Sequence, residues 1–201
     1  MGSLPPPDFA KAILDSRNIE FEEPFWRIYL ARHPDPLGFG KAPSRFSDPR
    51  SLPDPQRFGV LYLGSSLKVS FLEAVLRDRR DGTFGDLPLE QAEIDQRAVA
   101  LITPRRILRL LDLTGDNPVR MGIPSDVVRG SNHDLARQWS VAFHSHPDCI
   151  DGILYPSRLN GQHNLAVYER AVSSLDSLGT CPLERAKGFG EVLDQMKVAL
   201  I

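Results

Sequence analysis

"GVLYLGSSLKVSFLEAVLRD", residues 59–78, reads as a short apolar strand, a tight polar turn and a helix. Val60, Leu61, Tyr62 and Leu63 suit a pleated, half-buried surface. Ser65 or Ser66 stands where a side-chain oxygen can cap the next segment, and apolar residues then recur at helical spacing to about Arg80. The unit carries two chemically capable groups, Tyr62 near the end of the strand and Glu73 in the helix. At about 100° per residue, Leu67, Phe71, Ala74 and Val75 fall opposite Glu73, while Ser66, Ser70, Arg77 and Arg80 fall beside it. Glu73 therefore lies at the border of the polar face, with Arg77 at i+4 as a ready ion-pair partner. A solvated helix residue and a charge at the rim of a cleft both fit that position.

Upstream, "PFWRIYLAR" (24–32) is aromatic and β-branched and reads as a strand. Arg27 sits inside it between Trp26 and Ile28, so its guanidinium must find a partner or reach the surface. Residues 33–58 are rich in Pro and Gly and carry Arg45, Arg50 and Arg57; a loop of that length is either functional or disordered. Arginines from separate segments, such as Arg27 and Arg45, can fork a pyrophosphate, because each offers paired donors; they can equally be surface charges or loop anchors. Residues 1–8 read as a loose arm and "FAKAILDSR" (9–17) as a short helix.

Downstream, "RAVALITP" (97–104) and "RILRLLDL" (106–113) read as strands, the second with some helical character. "GIPSDVVRG" (122–130) reads as a short helix. "SNHDLARQWSVAFHSHP" (131–147) reads as a longer one, opened by Ser131 or Asn132 and stopped by Pro147. "DGILYPSRLNGQHNLAVYER" (151–170) gives a strand, a polar turn and a strand. The turn gathers Tyr155, Ser157, Arg158, Asn160, Gln162, His163 and Asn164, a grouping found both at sites and in ordinary hairpins. "KGFGEVLDQMKVALI" (187–201) suggests a small terminal helix. The sum is an α+β chain with short strands: an N-terminal arm and short helix over 1–20, then one domain over 21–201.

Composition narrows the function. Charged residues make up 25% of the chain and the net charge is −2, with the basic residues dispersed, so neither nucleic acid nor an anionic membrane is an expected partner. Cys149 and Cys181 are too far apart in sequence for a metal pair and point to a reduced, cytoplasmic protein. No apolar run approaches the ~20 residues of a membrane span, and "MGSLPPPDFA" has no secretory apolar core. There is no Walker A sequence, no G-x-G-x-x-G after a strand and no G-x-S-x-G elbow, which disfavours common ATPases, dehydrogenases and α/β-hydrolases. "HSHP" places His144 and His146 like the histidine pair of JAMM-type zinc isopeptidases. Where that family has its following Ser and Asp, this chain has Leu154 and Ser157. The third ligand is missing, and no metal is expected.

Taken in order, "FWRIY", "SRF" with its Arg eighteen residues after Arg27, the strand-turn-helix, and "DGILYPSR" resemble the RES-domain family over roughly residues 24–170. That family is the toxin half of bacterial RES–Xre toxin–antitoxin pairs and is named for an Arg, a Glu and a Ser. The most specific feature is Tyr followed eleven residues later by Glu, with Arg upstream and Ser downstream. The resemblance implies an ADP-ribosyltransferase-like fold, with mixed short-stranded sheets split around an NAD cleft and flanking helices. It implies NAD+ as substrate, consumed by hydrolysis or phosphorolysis or used to ADP-ribosylate a protein, and an Xre-like antitoxin as partner. Carried over by position, Glu73 steadies the charge that develops on the ribose, and Tyr62 stacks on nicotinamide. Arg27 and Arg45 hold the pyrophosphate, and Ser157 hydrogen-bonds ribose or amide. "PSRF" departs from the Gly-Gly-Arg-Trp-like segment of many members, which bears most on Arg45. The rival readings are an inert partner-binding module of the same fold and a metal-dependent isopeptidase using His144 and His146.

Overall fold

A computed structural model describes residues 2–20 and 24–201. In chain order these form β1 (Ser16–Ile19), β2 (Phe25–Leu30), β3 (Val60–Gly64) and α1 (Leu67–Phe71), which continues as a π-helical turn over Leu72–Leu76. Then come β4 (Leu87–Leu89), α2 (Gln91–Asp95), β5 (Arg97–Pro104), β6 (Leu108–Asp112), α3 (Asn117–Arg120), α4 (Ser125–Arg129) and α5 (Asp134–His144). The chain closes with β7 (Gly152–Pro156), β8 (His163–Tyr168), α6 (Glu169–Val172), β9 (Leu175–Pro182), α7 (Phe189–Met196) and β10 (Val198–Leu200).

Eight strands make one mixed sheet in the order β1-β6-β7-β8-β3-β2-β5-β9, and β10 pairs in parallel with β4 beside it. The α+β class read from the sequence is the one observed. The central strands explain their own composition. Val60, Ile153, Ala166 and Tyr168 point to one face, where Trp139 and Phe143 of α5 cover them. Leu61, Leu63, Leu154, Leu165 and Val167 point to the other. Such strands need apolar residues on both faces, because successive side chains alternate across the sheet. In α5, Ala136, Trp139, Ser140 and Phe143 are buried at helical spacing. A third cluster packs Leu67, Phe71, Leu72, Val75 and Leu76 against Ile28, Val99, Phe189 and Val192.

The sheet has one weak seam. β2 pairs with β5 along its whole length, from Phe25 opposite Ile102 to Leu30 opposite Arg97. It meets β3 in a single pair, Trp26 opposite Gly64. The sheet therefore opens between β2 and β3, the split expected of the cleft. Gly64 is required at the joint, since a Cβ there would come within 2.5 Å of Ser70 Oγ and 3.0 Å of Ser70 N. That close approach lets α1 lie directly over the seam, where Ser70 Oγ donates to Trp26 O at 2.9 Å.

Several local expectations are corrected by non-local pairing. Residues 9–17 form one 3-10 turn at Phe9–Lys11 and then enter β1, which pairs with β6. The N-terminal segment is docked, with Phe9 buried against Trp139 and Phe143 and Trp139 Nε1 donating to Ser3 O. The expected boundary at residue 21 lies outside the described residues. The helix after β3 ends at Leu76, four residues short of Arg80, because Leu72, Val75 and Leu76 are drawn into the core and Arg77 turns the chain at φ 47°. "LDSLGTCP" forms β9, an edge strand that has no apolar alternation to reveal it. The terminal helix is followed by a strand too short for periodicity to mark.

Candidate active site

A cavity of about 430 Å³ opens at the seam between β2 and β3. Its walls come from five segments distant in sequence: β2, the 43–45 loop, β3 with the helix after it, the 131–133 entry to α5, and the β7–β8 hairpin. Of the residues given site roles from the sequence, Arg27, Arg45, Tyr62 and Glu73 line it together, joined by Tyr155, Arg158 and Asn164 of the polar turn. Ser157 does not. It is buried at the end of β7, and its Oγ accepts from Leu159 N at 3.2 Å inside the hairpin turn, so it shapes the turn that carries Arg158 and Leu159 to the wall.

Glu73 is placed by the π turn. The wide turn closes with Arg77 N donating to Leu72 O at 2.7 Å, and such turns re-aim the side chains they carry. Glu73 Oε1 accepts from Asn164 Nδ2 at 3.0 Å. Arg77, expected as its ion-pair partner, instead donates from Nε to the backbone carbonyl of Glu73 at 3.2 Å. The carboxylate thus faces the cavity with an amide beside it.

Tyr62 anchors the loop as well as lining the wall. Its Oη accepts from Phe46 N at 2.9 Å and lies 2.9 Å from Ser44 Oγ. Burial raises the phenol above its ordinary range, so the hydroxyl stays neutral and can donate to Ser44. This tether sets the loop that carries Arg45. Arg45 Nη1 donates to Gly130 O at 2.9 Å, which leaves most of its five donors uncommitted by that bond. Arg27 is spent differently. Its guanidinium donates to Pro36 O and Gly38 O, fixing the start of the long loop, and burial lowers its pKa to about 10. The long loop is ordered by such contacts. Phe46, Ser47 and Asp48 are buried, Arg50 pairs with Asp48, and Arg57 donates to Lys41 O and Asp48 O.

Four further residues complete the site. Arg77 and Arg158 add positive charge to the wall, Arg158 being paired with Asp78. His133 lines the wall too. Burial, reinforced by Arg45, Arg137, Arg158 and Arg77, lowers its pKa to about 4 and keeps the imidazole neutral. Asn164 is 3% exposed, although it sits in a sheet strand. A buried amide within an apolar strand was the available sequence signal, since such a group must find a partner. His133 and Arg77 carried no comparable signal. The "HSHP" histidines are occupied elsewhere: His144 stacks on Phe58 with centroids 4.3 Å apart, and His146 Nδ1 accepts from Asp148 N. Among the described residues, no group of three His, Cys, Asp or Glu side chains is placed to hold a metal ion.

The family model of the RES domain matches residues 24–183, the span that contains every one of these wall segments. The chain belongs to the RES-domain family. Probable toxin y4kH of Sinorhizobium fredii is 35% identical over 127 residues, which is 63% of this chain and all of that one. A chain in the crystal structure of the M. tuberculosis MbcT–MbcA toxin–antitoxin complex shares the fold, with a TM-score of 0.58 at 20% identity, covering 87% of this RES-domain chain and 91% of the other. Among the described residues no helix is long and apolar enough to cross a membrane.

Proposed function

We propose that this RES-domain protein is the toxin of a type II toxin–antitoxin pair and that it cleaves the nicotinamide–ribose bond of NAD+. Family membership and relatives named as a probable toxin and as part of a toxin–antitoxin complex support the first half. The observation that carries the second is one carboxylate, Glu73, hydrogen-bonded by Asn164 in a cavity whose other charges are chiefly arginines. That polarity suits a ligand with a doubly charged pyrophosphate and a cationic centre. The volume lies within the roughly 300–1,000 Å³ typical of small-molecule sites.

The chemistry follows from the charges. The C1′–N bond breaks with its electron pair moving to the nicotinamide nitrogen, which leaves neutral while positive charge grows on the ribose ring. A carboxylate beside the ribose stabilises that charge in the transition state more than in the ground state. Arg45, with Arg77 and Arg158, holds the pyrophosphate by charge-assisted bonds. Arg27 contributes field and fixes the loop. Tyr62 presents its ring to the nicotinamide while its hydroxyl holds the loop that carries Arg45. Ser157 acts through the hairpin turn. The acceptor, whether water, phosphate or a protein side chain, adds at C1′ and loses its proton. An Xre-like antitoxin neutralises the toxin and carries the DNA contact, in keeping with the net charge of −2 here.

The test is release of free nicotinamide from NAD+ by the purified protein, with chelator present. Glu73→Gln is expected to keep the fold and lose activity by roughly 100-fold or more, the scale of a removed electrostatic contact to a transition state. A Gln variant turning over NAD+ at the wild-type rate would overturn the assignment.

A further inference from the structure

We infer that Asn164 is the positioning residue for Glu73, an inference that rests on the reading of Glu73 given above. Three observations converge on it. First, Asn164 is held on both sides by the sheet, opposite Gly64 of β3 and opposite Tyr155 of β7, so its Cα cannot shift without breaking two ladders. Second, the residue is 3% exposed yet its side chain is polar, and its Nδ2 is spent on Glu73 Oε1 at 3.0 Å. Third, Gly64 directly opposite admits the close approach of Ser70, which brings the helix, and with it the π turn bearing Glu73, down onto the sheet.

A glutamate has three side-chain torsions, and one on a short π turn needs a fixed partner to stay in a single orientation. An amide donor supplies that without neutralising the charge. A lysine or arginine in its place would hold the carboxylate equally well but would oppose its action on a developing cation. The amide pins one carboxylate oxygen and leaves the other for the ribose. This makes Asn164 a determinant of the rate step and leaves the hold on the pyrophosphate to the arginines across the cavity.

The experiment compares Asn164→Ala, Asn164→Asp and Glu73→Gln with wild type in steady-state nicotinamide release, with thermal unfolding as the fold check. Asn164→Ala is expected to lower kcat by about 10- to 100-fold and to change KM for NAD+ by less than about threefold. Asn164→Asp matches the shape of the native residue but sets a second carboxyl against Glu73. At neutral pH it is expected to be poorer than the Ala variant. It regains activity on acidification, because a carboxyl pair holding one proton restores a donor against a carboxylate. The charged groups facing that pair are Arg27 from β2, Arg45 from the loop, Arg77 from beyond the π turn and Arg158 from the hairpin, with Asp78 paired to Arg158. Tyr62 and Tyr155 line the same wall and His133 stands at its α5 side. All are common to both proteins, so a difference between the two pH profiles reports the new carboxyl. If Glu73→Gln is inactive while Asn164→Ala keeps the wild-type kcat, or if Asn164→Asp shows no recovery in acid, Asn164 is structural only and the inference falls alone. If Glu73→Gln is as active as wild type, the reading of the site falls and takes this inference with it.

Discussion

Replacing Tyr62 with Phe removes one oxygen and leaves the ring in place, which separates two roles that one side chain could play. The lost oxygen accepts from Phe46 N and faces Ser44 Oγ, both at 2.9 Å. Phe46 is 0% exposed, so its backbone N–H loses its acceptor at a buried position. An unsatisfied buried donor costs about 1–3 kcal/mol. For a chain of this size each kcal/mol moves the melting temperature by roughly 2–4 °C, so Tyr62→Phe should melt about 2–12 °C lower. Arg45 directly precedes Phe46 and retains its bond to Gly130 O, so the loop loosens without being lost. KM for NAD+ is therefore expected to rise several-fold while kcat falls less. Thermal unfolding and initial rates of nicotinamide release against NAD+ concentration measure both. A Phe variant with unchanged melting and unchanged KM would show that the hydroxyl tethers nothing of consequence and that only the ring matters.

Two further outcomes follow from the same geometry. Gly64→Ala drives a Cβ to 2.5 Å from Ser70 Oγ and 3.0 Å from Ser70 N, so α1 must rise off the seam; denaturant unfolding should show a loss of about 1–3 kcal/mol, and kcat should fall because Glu73 rides on that helix. His133 has a folded pKa lowered to about 4 from 6.5, by burial first and then by its arginine neighbours, so the unfolded chain takes up its proton first as pH falls. Its neutral burial therefore costs stability progressively as pH drops from 6.5 to 4, and His133→Gln should lose less stability than wild type between pH 7 and pH 5 in urea titrations; parallel losses in the two proteins would refute the linkage.

The strand-turn-helix of 59–78 is legible because its signals are local: a short apolar run in β3, buried on both faces, and a Ser66 side chain that accepts from Val69 N. The helical wheel placed Glu73 on a polar border and stopped there. The wheel assumes a regular turn, whereas the helix widens at Leu72–Leu76 under the pull of Leu72, Val75 and Leu76 on the core. The same assumption produced the Glu73–Arg77 pair that the structure replaces with a bond to the backbone. Ser157, expected to hydrogen-bond ribose or amide, falls in the β7–β8 hairpin with its side chain facing the turn, held there by the local bond from Leu159 N. β1 and β9 lie at the sheet edges, where a partner on one side suffices and no periodic pattern is demanded.

The chain alone determined which residue types follow one another and at what spacing: an Arg in a strand, an Arg in a long loop, Tyr and then Glu across a turn, and a polar hairpin. Covalent spacing, capping and two-residue or helical periodicity are properties of neighbours, and neighbours can be read. Only the tertiary structure decided that Glu73 meets Asn164, 91 residues away, at a seam where β2 and β3 share a single pair. That meeting depends on strand pairings and a glycine-sized gap whose energies belong to contacts between distant segments, and no local pattern records them.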